Sequence, residues 1–166
     1  MSFTAGVLTL SDKGSKGERE DLSGKVAVEL IESNGFSVKF YEVLPDEEEE
    51  IRKKLIEFSD ENQLDLIVTT GGTGLTPRDV TPEATRAVIK REVTGIAEAM
   101  RLEGLKKTPN SMLSRGIAGV RGKTLIINLP GNPGAVRDGL SAVLPVIRHA
   151  VEKIQGDASE CAPKSS

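Results

Sequence analysis

Histidine and cysteine are almost absent from this 166-residue chain, and their scarcity excludes several kinds of catalytic site. There is one histidine, His149, and one cysteine, Cys161. A serine or cysteine nucleophile would therefore lack a histidine base, and zinc sites built from Cys and His would lack ligands. A single cysteine also forms no internal disulfide, so we expect a protein of the reducing cytoplasm.

Aromatic residues and long apolar runs are equally scarce. Aromatic residues make up 3% of the chain and tryptophan is absent, which argues against stacking on nucleic-acid bases. The net charge of −3 argues against duplex nucleic acid as a partner. The first ten residues, MSFTAGVLTL, carry no basic region and no long apolar run, so we expect neither a signal peptide nor a membrane-spanning helix.

Apolar residues recur with strand and helix periods in alternation. The pattern predicts strands at 3–10, 36–44 and 64–70, helices at 21–35, 46–62, 82–92 and 95–107, two short strands joined at 121–123, and a final helix at 130–154. This order predicts an α/β fold in which helices cover both faces of a mostly parallel sheet. We expect one domain over residues 1–155 and a disordered tail over residues 156–166.

Ligands of such sheets bind outside the carboxyl ends of the strands. The candidate site therefore consists of the residues that follow each predicted strand. These are Ser11 and Asp12, Pro45 and Asp46, residues 69–81, and residues 130–133.

The segment TTGGTGLTPRDVTPEAT, residues 69–85, contains the densest group of glycine and polar residues. A glycine turn after a buried strand favours a phosphate held by backbone N–H groups. Two nucleotide fingerprints fail, because Pro77 stands where the third glycine of the dinucleotide motif would be and no Gly-Lys-Ser/Thr follows. A purely structural turn is the alternative.

Arg78 and Asp79 lie between this turn and a helix that we expect to begin at Thr81-Pro82-Glu83, with Thr81 as its N-cap. The functional interpretation gives Asp79 a magnesium ion and Arg78 a phosphate. The alternative is a surface ion pair between the two side chains, which would contribute about 0–1 kcal/mol.

The other loops allow similar pairs of interpretations. Asp46 is either a second carboxylate of the site or the N-cap of the acidic helix that follows. Asp12, beside Ser11, is either a third carboxylate or part of a polar turn. Carboxylates, basic side chains, hydroxyls and glycines suit magnesium-dependent phosphoryl or nucleotidyl transfer, in which positioning and charge neutralisation supply most of the catalysis.

Five motifs together resemble the molybdopterin adenylyltransferase family, which is related to the G domain of gephyrin. They are TTGGTGLTPRDVTPEAT, TLSDK (9–13), LPDEEEE (44–50), SMLSRG (111–116) and LPGNP (129–133), and the resemblance spans residues 5–154. It implies a three-layer α/β/α sandwich and a homotrimer. The implied reaction is magnesium-dependent transfer of AMP from ATP to the terminal phosphate of molybdopterin, with release of pyrophosphate. A downstream molybdenum-insertion protein is the implied partner.

The resemblance also implies roles for individual residues. Asp79 and Asp46 match two essential acids and are assigned to magnesium and ATP positioning. Ser114 and Arg115 match a pair that we connect with the pterin and its phosphate. The remaining matched residues, expected to bind the nucleotide or shape the pocket, are Ser11, Asp12, Gly71, Gly72, Thr73, Gly74, Arg78, Pro130, Gly131, Asn132 and Pro133.

Two other functions stay open at the level of sequence. One is a trimeric protein that binds molybdopterin or a partner protein without chemistry. The other is a nucleotide-binding or nucleotide-hydrolysing domain of the CinA type. Asp46 and Asp79 together favour the enzyme, since a pure binding protein has little need for both acids.

Overall fold

Six strands form one central sheet in the computed structural model, which describes residues 2–158. The strands are β1 (Phe3–Leu10), β2 (Phe36–Leu44), β3 (Leu66–Thr70), β4 (Arg91–Glu92), β5 (Ala118–Arg121) and β6 (Thr124–Leu129). Their spatial order is β2-β1-β3-β6-β5-β4. Strands β2, β1, β3 and β6 are parallel, whereas β5 and β4 run antiparallel to their neighbours. The prediction of a mostly parallel sheet is confirmed.

The helices connect these strands over both faces of the sheet. They are α1 (Asp12–Ser15), α2 (Leu22–Ser33), α3 (Glu48–Ile56), α4 (Thr81–Val88), α5 (Thr94–Leu105) and α6 (Pro133–Ile154), with a π-helical turn at Glu57–Glu61 and a 3₁₀ turn at Pro109–Leu113. None of the helices within residues 2–158 has both the length and the apolar character needed to cross a membrane. Cys161 and most of the tail predicted to be disordered lie outside the described residues.

Alternating side chains of the central strands fill two separate cores. In β3, Leu66 and Val68 pack on one face of the sheet and Ile67 packs on the other, and all three are fully buried. The first core is completed by α2, α5 and α6, and the second by α3 and α4. The result is the three-layer α/β/α sandwich that the motif resemblance implied.

The ends of three parallel strands meet at one edge of the sheet. Thr9 of β1 is in register with Thr70 of β3, and Thr70 is in register with Leu129 of β6. The chain moves to opposite sides of β1 as it forms β2 and then β3, so the strand order reverses at this point. Crevices at such reversals are where open α/β sheets bind ligands.

One secondary-structure prediction is wrong. Residues 91–92 were expected to be helical, but α4 ends at Val88 and the chain turns into the short edge strand β4. The backbone N–H of Lys90 donates to Val120 and that of Val93 donates to Ala118. These bonds pair backbone carbonyl groups of β5 that would otherwise be open at the edge of the sheet. This stabilisation comes from residues distant in sequence, so local helix propensity does not predict it.

Candidate active site

A cleft of about 540 Å³ opens beyond the carboxyl ends of β1, β3 and β6. We call it the acidic cleft, because three aspartates are among its lining residues. Those lining residues that the sequence predicted are Ser11, Asp46, Gly71, Gly72, Asp79, Gly131, Asn132 and Pro133. Four separate predicted loops therefore converge on one space, as the positions of the strands required.

The glycine turn that forms one wall of the acidic cleft needs glycine for steric reasons. Gly71 and Gly72 have φ angles of +89° and +67°. A Cβ on Gly71 would lie 2.4 Å from the carbonyl oxygen of Leu10, and one on Gly72 would lie 2.2 Å from Thr81 Oγ1. The Thr81 hydroxyl donates to the Gly71 carbonyl at 3.0 Å. The predicted N-cap role of Thr81 is wrong, because α4 begins at Thr81 itself and its hydroxyl closes the turn.

Substituting Gly71→Ala should lower the free energy of unfolding by about 2–4 kcal/mol, because a left-handed backbone cost adds to a clash with main-chain atoms. The matched control is Gly122→Ala. Gly122 also has a positive φ, +56°, but no described atom lies within 4 Å of its Cβ position. We expect about 1 kcal/mol for the control, from the backbone cost alone. If urea unfolding showed the same decrease in the free energy of unfolding for both variants, the steric argument would be contradicted.

Asp12 and Asp46 hold each other by a reciprocal pair of hydrogen bonds. The backbone N–H of Asp12 donates to Asp46 Oδ2 at 3.1 Å, and that of Asp46 donates to Asp12 Oδ1 at 3.0 Å. The alternative role of Asp46 as a helix cap is wrong, because α3 begins at Glu48 and has no side-chain cap among residues 2–158. Ser11 instead caps α1 by accepting from the Gly14 N–H at 3.0 Å.

The second oxygen of Asp46 marks a position suited to a cation. Asp46 Oδ1 is buried and accepts no hydrogen bond from the described residues. Burial raises the pKa of Asp46, and the negative charges of Asp12 and Asp79 raise it further against the opposing hydrogen bond from Asp12. A buried carboxylate oxygen without a donor is unusual, and a bound cation would supply the missing partner.

The number of carboxylates limits which ion would fit this position. Within residues 2–158 there is no group of three or more His, Cys, Asp or Glu side chains arranged to hold a metal. The described residues therefore do not supply enough ligands for an ion that binds through protein side chains alone. Magnesium fits, because it commonly binds through one or two carboxylates together with substrate phosphates and water.

Arg78 does not pair with its neighbour Asp79. Its guanidinium donates to both oxygens of Asp12, at 3.0 and 2.9 Å, and to Glu47 at 2.8 Å. The local-pair alternative is therefore wrong. Through this fork Arg78 holds the pKa of Asp12 below its ordinary value. Arg78 thus fixes Asp12, which in turn fixes Asp46; a contact between Arg78 and a phosphate stays a prediction.

Asp79 is held on a short turn of its own. Its Oδ2 accepts from the backbone N–H and the hydroxyl of Thr76, at 2.9 and 2.8 Å. The other oxygen, Oδ1, accepts no hydrogen bond from the described residues, and Asp79 lines the acidic cleft. This local turn orients the carboxylate without neutralising its charge.

Arg115 anchors the loop that carries Asp79. Its guanidinium donates to the carbonyl oxygens of Gly74 and Asp79, both at 2.8 Å, and pairs with the Glu83 carboxylate at 2.8 and 3.0 Å. Its backbone N–H donates to the carbonyl of Thr73 at 2.9 Å. In this structure Arg115 therefore positions the loop, while the phosphate contact implied by the resemblance stays a prediction.

A hydroxyl network in the floor of the acidic cleft was not predicted. The carboxylate of Asp21 accepts from Thr9 Oγ1 at 2.6 Å, from Ser23, from Tyr41 and from a backbone N–H in the first turn of α2. Burial alone would raise the pKa of Asp21, but these hydrogen bonds outweigh it and lower the pKa. Thr70 joins the hydroxyls of Thr9 and Ser23, each at 3.2 Å. The sequence signal that could have indicated this network was a threonine near the end of each of two strands: Thr9 in β1 and Thr70 in β3.

A second cleft, of about 510 Å³, lies between α5, α6 and the 3₁₀ turn. We call it the apolar cleft, because Ala97, Met100, Ala135 and several glycines supply much of its wall. Ser114 and Pro130 line this cleft, and Asn132 lines both. The predicted site residues that line a cleft are thus divided between two adjoining spaces. The other predicted residues line neither cleft: Asp12, Thr73, Gly74, Arg78 and Arg115. The lone His149 is exposed on α6 and lines neither cleft.

Comparisons with known proteins point to one family. A family model described as a probable molybdopterin binding domain matches residues 6–149. The molybdopterin adenylyltransferase of Helicobacter pylori (strain J99) is 49% identical over 154 residues, 92% of this chain and 88% of that protein. Gephyrin of Dictyostelium discoideum is 44% identical over 173 residues, 98% of this chain and 24% of gephyrin. The crystal structure of the molybdopterin biosynthesis enzyme MoaB from Thermus thermophilus superposes with a TM-score of 0.89 at 54% identity, covering 93% of this chain and 98% of that one.

Proposed function

This chain belongs to the molybdopterin binding domain family, and we propose that it is a molybdopterin adenylyltransferase of molybdenum cofactor biosynthesis. Family membership confirms the resemblance that residues 69–85 and the four companion motifs predicted. In the proposed reaction AMP passes from ATP to the terminal phosphate of molybdopterin, and pyrophosphate is released.

The observation that carries this proposal is the pair of adjoining clefts. The acidic cleft is lined by the glycine turn at Gly71 and Gly72 and by two carboxylates, Asp46 and Asp79. The apolar cleft offers walls with many small residues, which suit a heteroaromatic ring. Asn132 lines both. Two substrates, one rich in phosphate and one with a fused ring, could therefore be held with their reacting ends together.

The proposed reaction suits a site without histidine. The nucleophile is a phosphate oxygen of molybdopterin, which is already anionic at neutral pH and needs no strong general base. This oxygen forms a bond to the α-phosphorus of ATP as the bond from that phosphorus to the bridging oxygen breaks, and pyrophosphate leaves with the electron pair. The protein's task is to hold two anions in line and close together.

Asp46 and Asp79 are the residues that would hold magnesium. The unpartnered, buried Oδ1 of Asp46 supports this assignment. When bound, magnesium would neutralise phosphate charge and so lower the repulsion between the two substrates. The chain's own contribution is rigidity: Asp12 and Arg78 fix Asp46, and Thr76 fixes Asp79.

The remaining parts of the proposal follow from the family. We assign the nucleotide phosphates to the turn at residues 71–74 and the pterin to the apolar cleft beside Ser114. We also propose a cytoplasmic homotrimer that passes its product to a molybdenum-insertion protein.

The direct test is to incubate the purified chain with molybdopterin, ATP and magnesium. We expect adenylylated molybdopterin and pyrophosphate in equal amounts, measured by mass spectrometry and a coupled pyrophosphate assay. Molybdopterin binding without any ATP-dependent product would instead support the non-catalytic binding protein. Pyrophosphate or phosphate release without molybdopterin would support a nucleotide-hydrolysing domain of the CinA type. Either result would overturn the proposed transfer.

A further inference from the structure

A single carboxylate faces the apolar cleft, and it has no role in the chemistry described above. Asp138 lies on α6, and among the described residues that line this cleft it carries the one carboxylate. Its side chain is 21% exposed and pairs at 2.7 Å with Lys107, which follows α5 and is 68% exposed. We propose that the Asp138 carboxylate accepts hydrogen bonds from the donor edge of the pterin ring and so determines specificity for a 2-amino-4-oxo heterocycle. This inference rests on the proposed function.

The carboxylate of Asp138 has capacity left for a ligand. Lys107 Nζ donates to Oδ1, whereas Oδ2 accepts no hydrogen bond from the described residues. Each carboxylate oxygen has two acceptor sites. A ligand could therefore bind both oxygens while Lys107 keeps its place, or could displace Lys107, whose side chain is 68% exposed and whose attraction to Asp138 is screened by solvent.

The pterin edge matches this acceptor pair. A 2-amino-4-oxo-pteridine presents N3–H and one N–H of its 2-amino group side by side and parallel. This is the donor geometry that a carboxylate receives from the fork of an arginine, and such bidentate charge-assisted pairs are strong and directional. Two other polar side chains of the cleft fit the donor edge less well. Arg101 offers only donors, and both ends of the Asn128 amide are already bonded to other residues.

The position of Asp138 on α6 places the ring correctly for transfer. Ala135, Asp138 and Gly139 share the face of α6 that lines the apolar cleft, so the residues of α6 beside the carboxylate are small. Asn132, at the junction with the acidic cleft, is the N-cap of the same helix. Asp138 lies six positions further along the chain, a rise of about 9 Å along the helix. A fused pyranopterin has this scale, so a ring anchored on Asp138 would direct its phosphate toward the acidic cleft.

The test compares binding of pterin with that of lumazine, which carries oxygen in place of the 2-amino group. Fluorescence titrations would use the full chain, Asp138→Asn, Asp138→Glu and Lys107→Ala. The matched control is Glu103→Gln, which breaks the ion pair between Glu103 of α5 and Lys106, outside the cleft. Circular dichroism would verify that each variant is folded.

We expect the unsubstituted chain to prefer pterin over lumazine. Asp138→Asn should weaken pterin binding by about tenfold to a hundredfold, the size of a lost charge-assisted hydrogen bond, and leave lumazine binding within about twofold. Asp138→Glu should retain the preference, and Lys107→Ala and Glu103→Gln should leave it unchanged. A structural role for Asp138 would instead weaken both ligands equally.

Two results would overturn the inference: no pterin preference in the unsubstituted chain, or the same preference in Asp138→Asn. The adenylylation assay separates this failure from that of the proposed function. If the unsubstituted chain forms adenylylated molybdopterin while the preference is absent, only the role of Asp138 is wrong. If no adenylylated product forms, the proposed function itself is wrong.

Discussion

Asp79→Asn is expected to lower the rate of adenylyl transfer by about a hundredfold to a thousandfold, the usual cost of removing one well-placed electrostatic group from an active site. The substitution is nearly isosteric. The amide oxygen can still accept from the N–H and hydroxyl of Thr76, so the turn that carries the side chain should persist. What disappears is the negative charge that the proposal assigns to magnesium.

The measurement is the initial rate of pyrophosphate release at several magnesium concentrations. Asp60→Asn is the matched control, because Asp60 lies at the other end of the sheet and is ion-paired with Arg121. We expect the control to turn over at the rate of the unsubstituted chain. Undiminished turnover of Asp79→Asn would show that Asp79 has no part in catalysis.

The location of the site could be predicted from sequence because it depends on local signals. Apolar runs such as residues 64–70 indicated buried strands, and the residues that follow them were the only candidates once the sheet was taken as parallel. Gly71 and Gly72 were expected to form a turn after this strand, and their positive φ angles are the backbone conformation for which such a turn needs glycine. The acidic cleft is where these two expectations meet.

The partners of individual side chains could not be predicted in the same way. One alternative paired Arg78 with Asp79, its neighbour in sequence, but Arg78 pairs with Asp12 across 66 positions. Asp46 was a plausible helix cap from the sequence, but in the structure its carboxylate accepts a hydrogen bond from the backbone N–H of Asp12 instead. Such choices depend on the meeting of loops that are distant in sequence, and local propensity carries no information about them.

Asp138 illustrates a second reason for incomplete prediction. It lies within a helix, in the segment AVRDGL, where an acidic residue is normally solvated and attracts no attention. Only the packing of α6 against α5 turns that face into the wall of a cleft. The Asp21 network was overlooked for the same reason, since its hydroxyls come from two strands and a helix.

Asp46→Asn should also lower adenylyl transfer by about a hundredfold to a thousandfold, and it should at the same time stabilise the fold. The folded chain raises the pKa of Asp46 above its ordinary value of 3.8, mainly through burial. At neutral pH the ionised carboxylate therefore opposes folding. The amide removes this cost and can still accept from the Asp12 N–H, so we expect Tm to rise by about 1–3 °C, a small gain because the site is partly screened by solvent.

The pH dependence of this gain identifies its origin. Below pH 3.8 Asp46 is largely protonated in both the folded and the unfolded chain, so the variant and the unsubstituted chain should be equally stable there. The gain should appear as the pH rises through the raised pKa and then stay constant. Asp60→Asn should behave oppositely, because the hydrogen bond from Arg121 lowers the pKa of Asp60 and its ionised form stabilises the fold. If Asp46→Asn also lowered Tm at neutral pH, Asp46 would be a structural acid, and its unpartnered oxygen would no longer support a metal site.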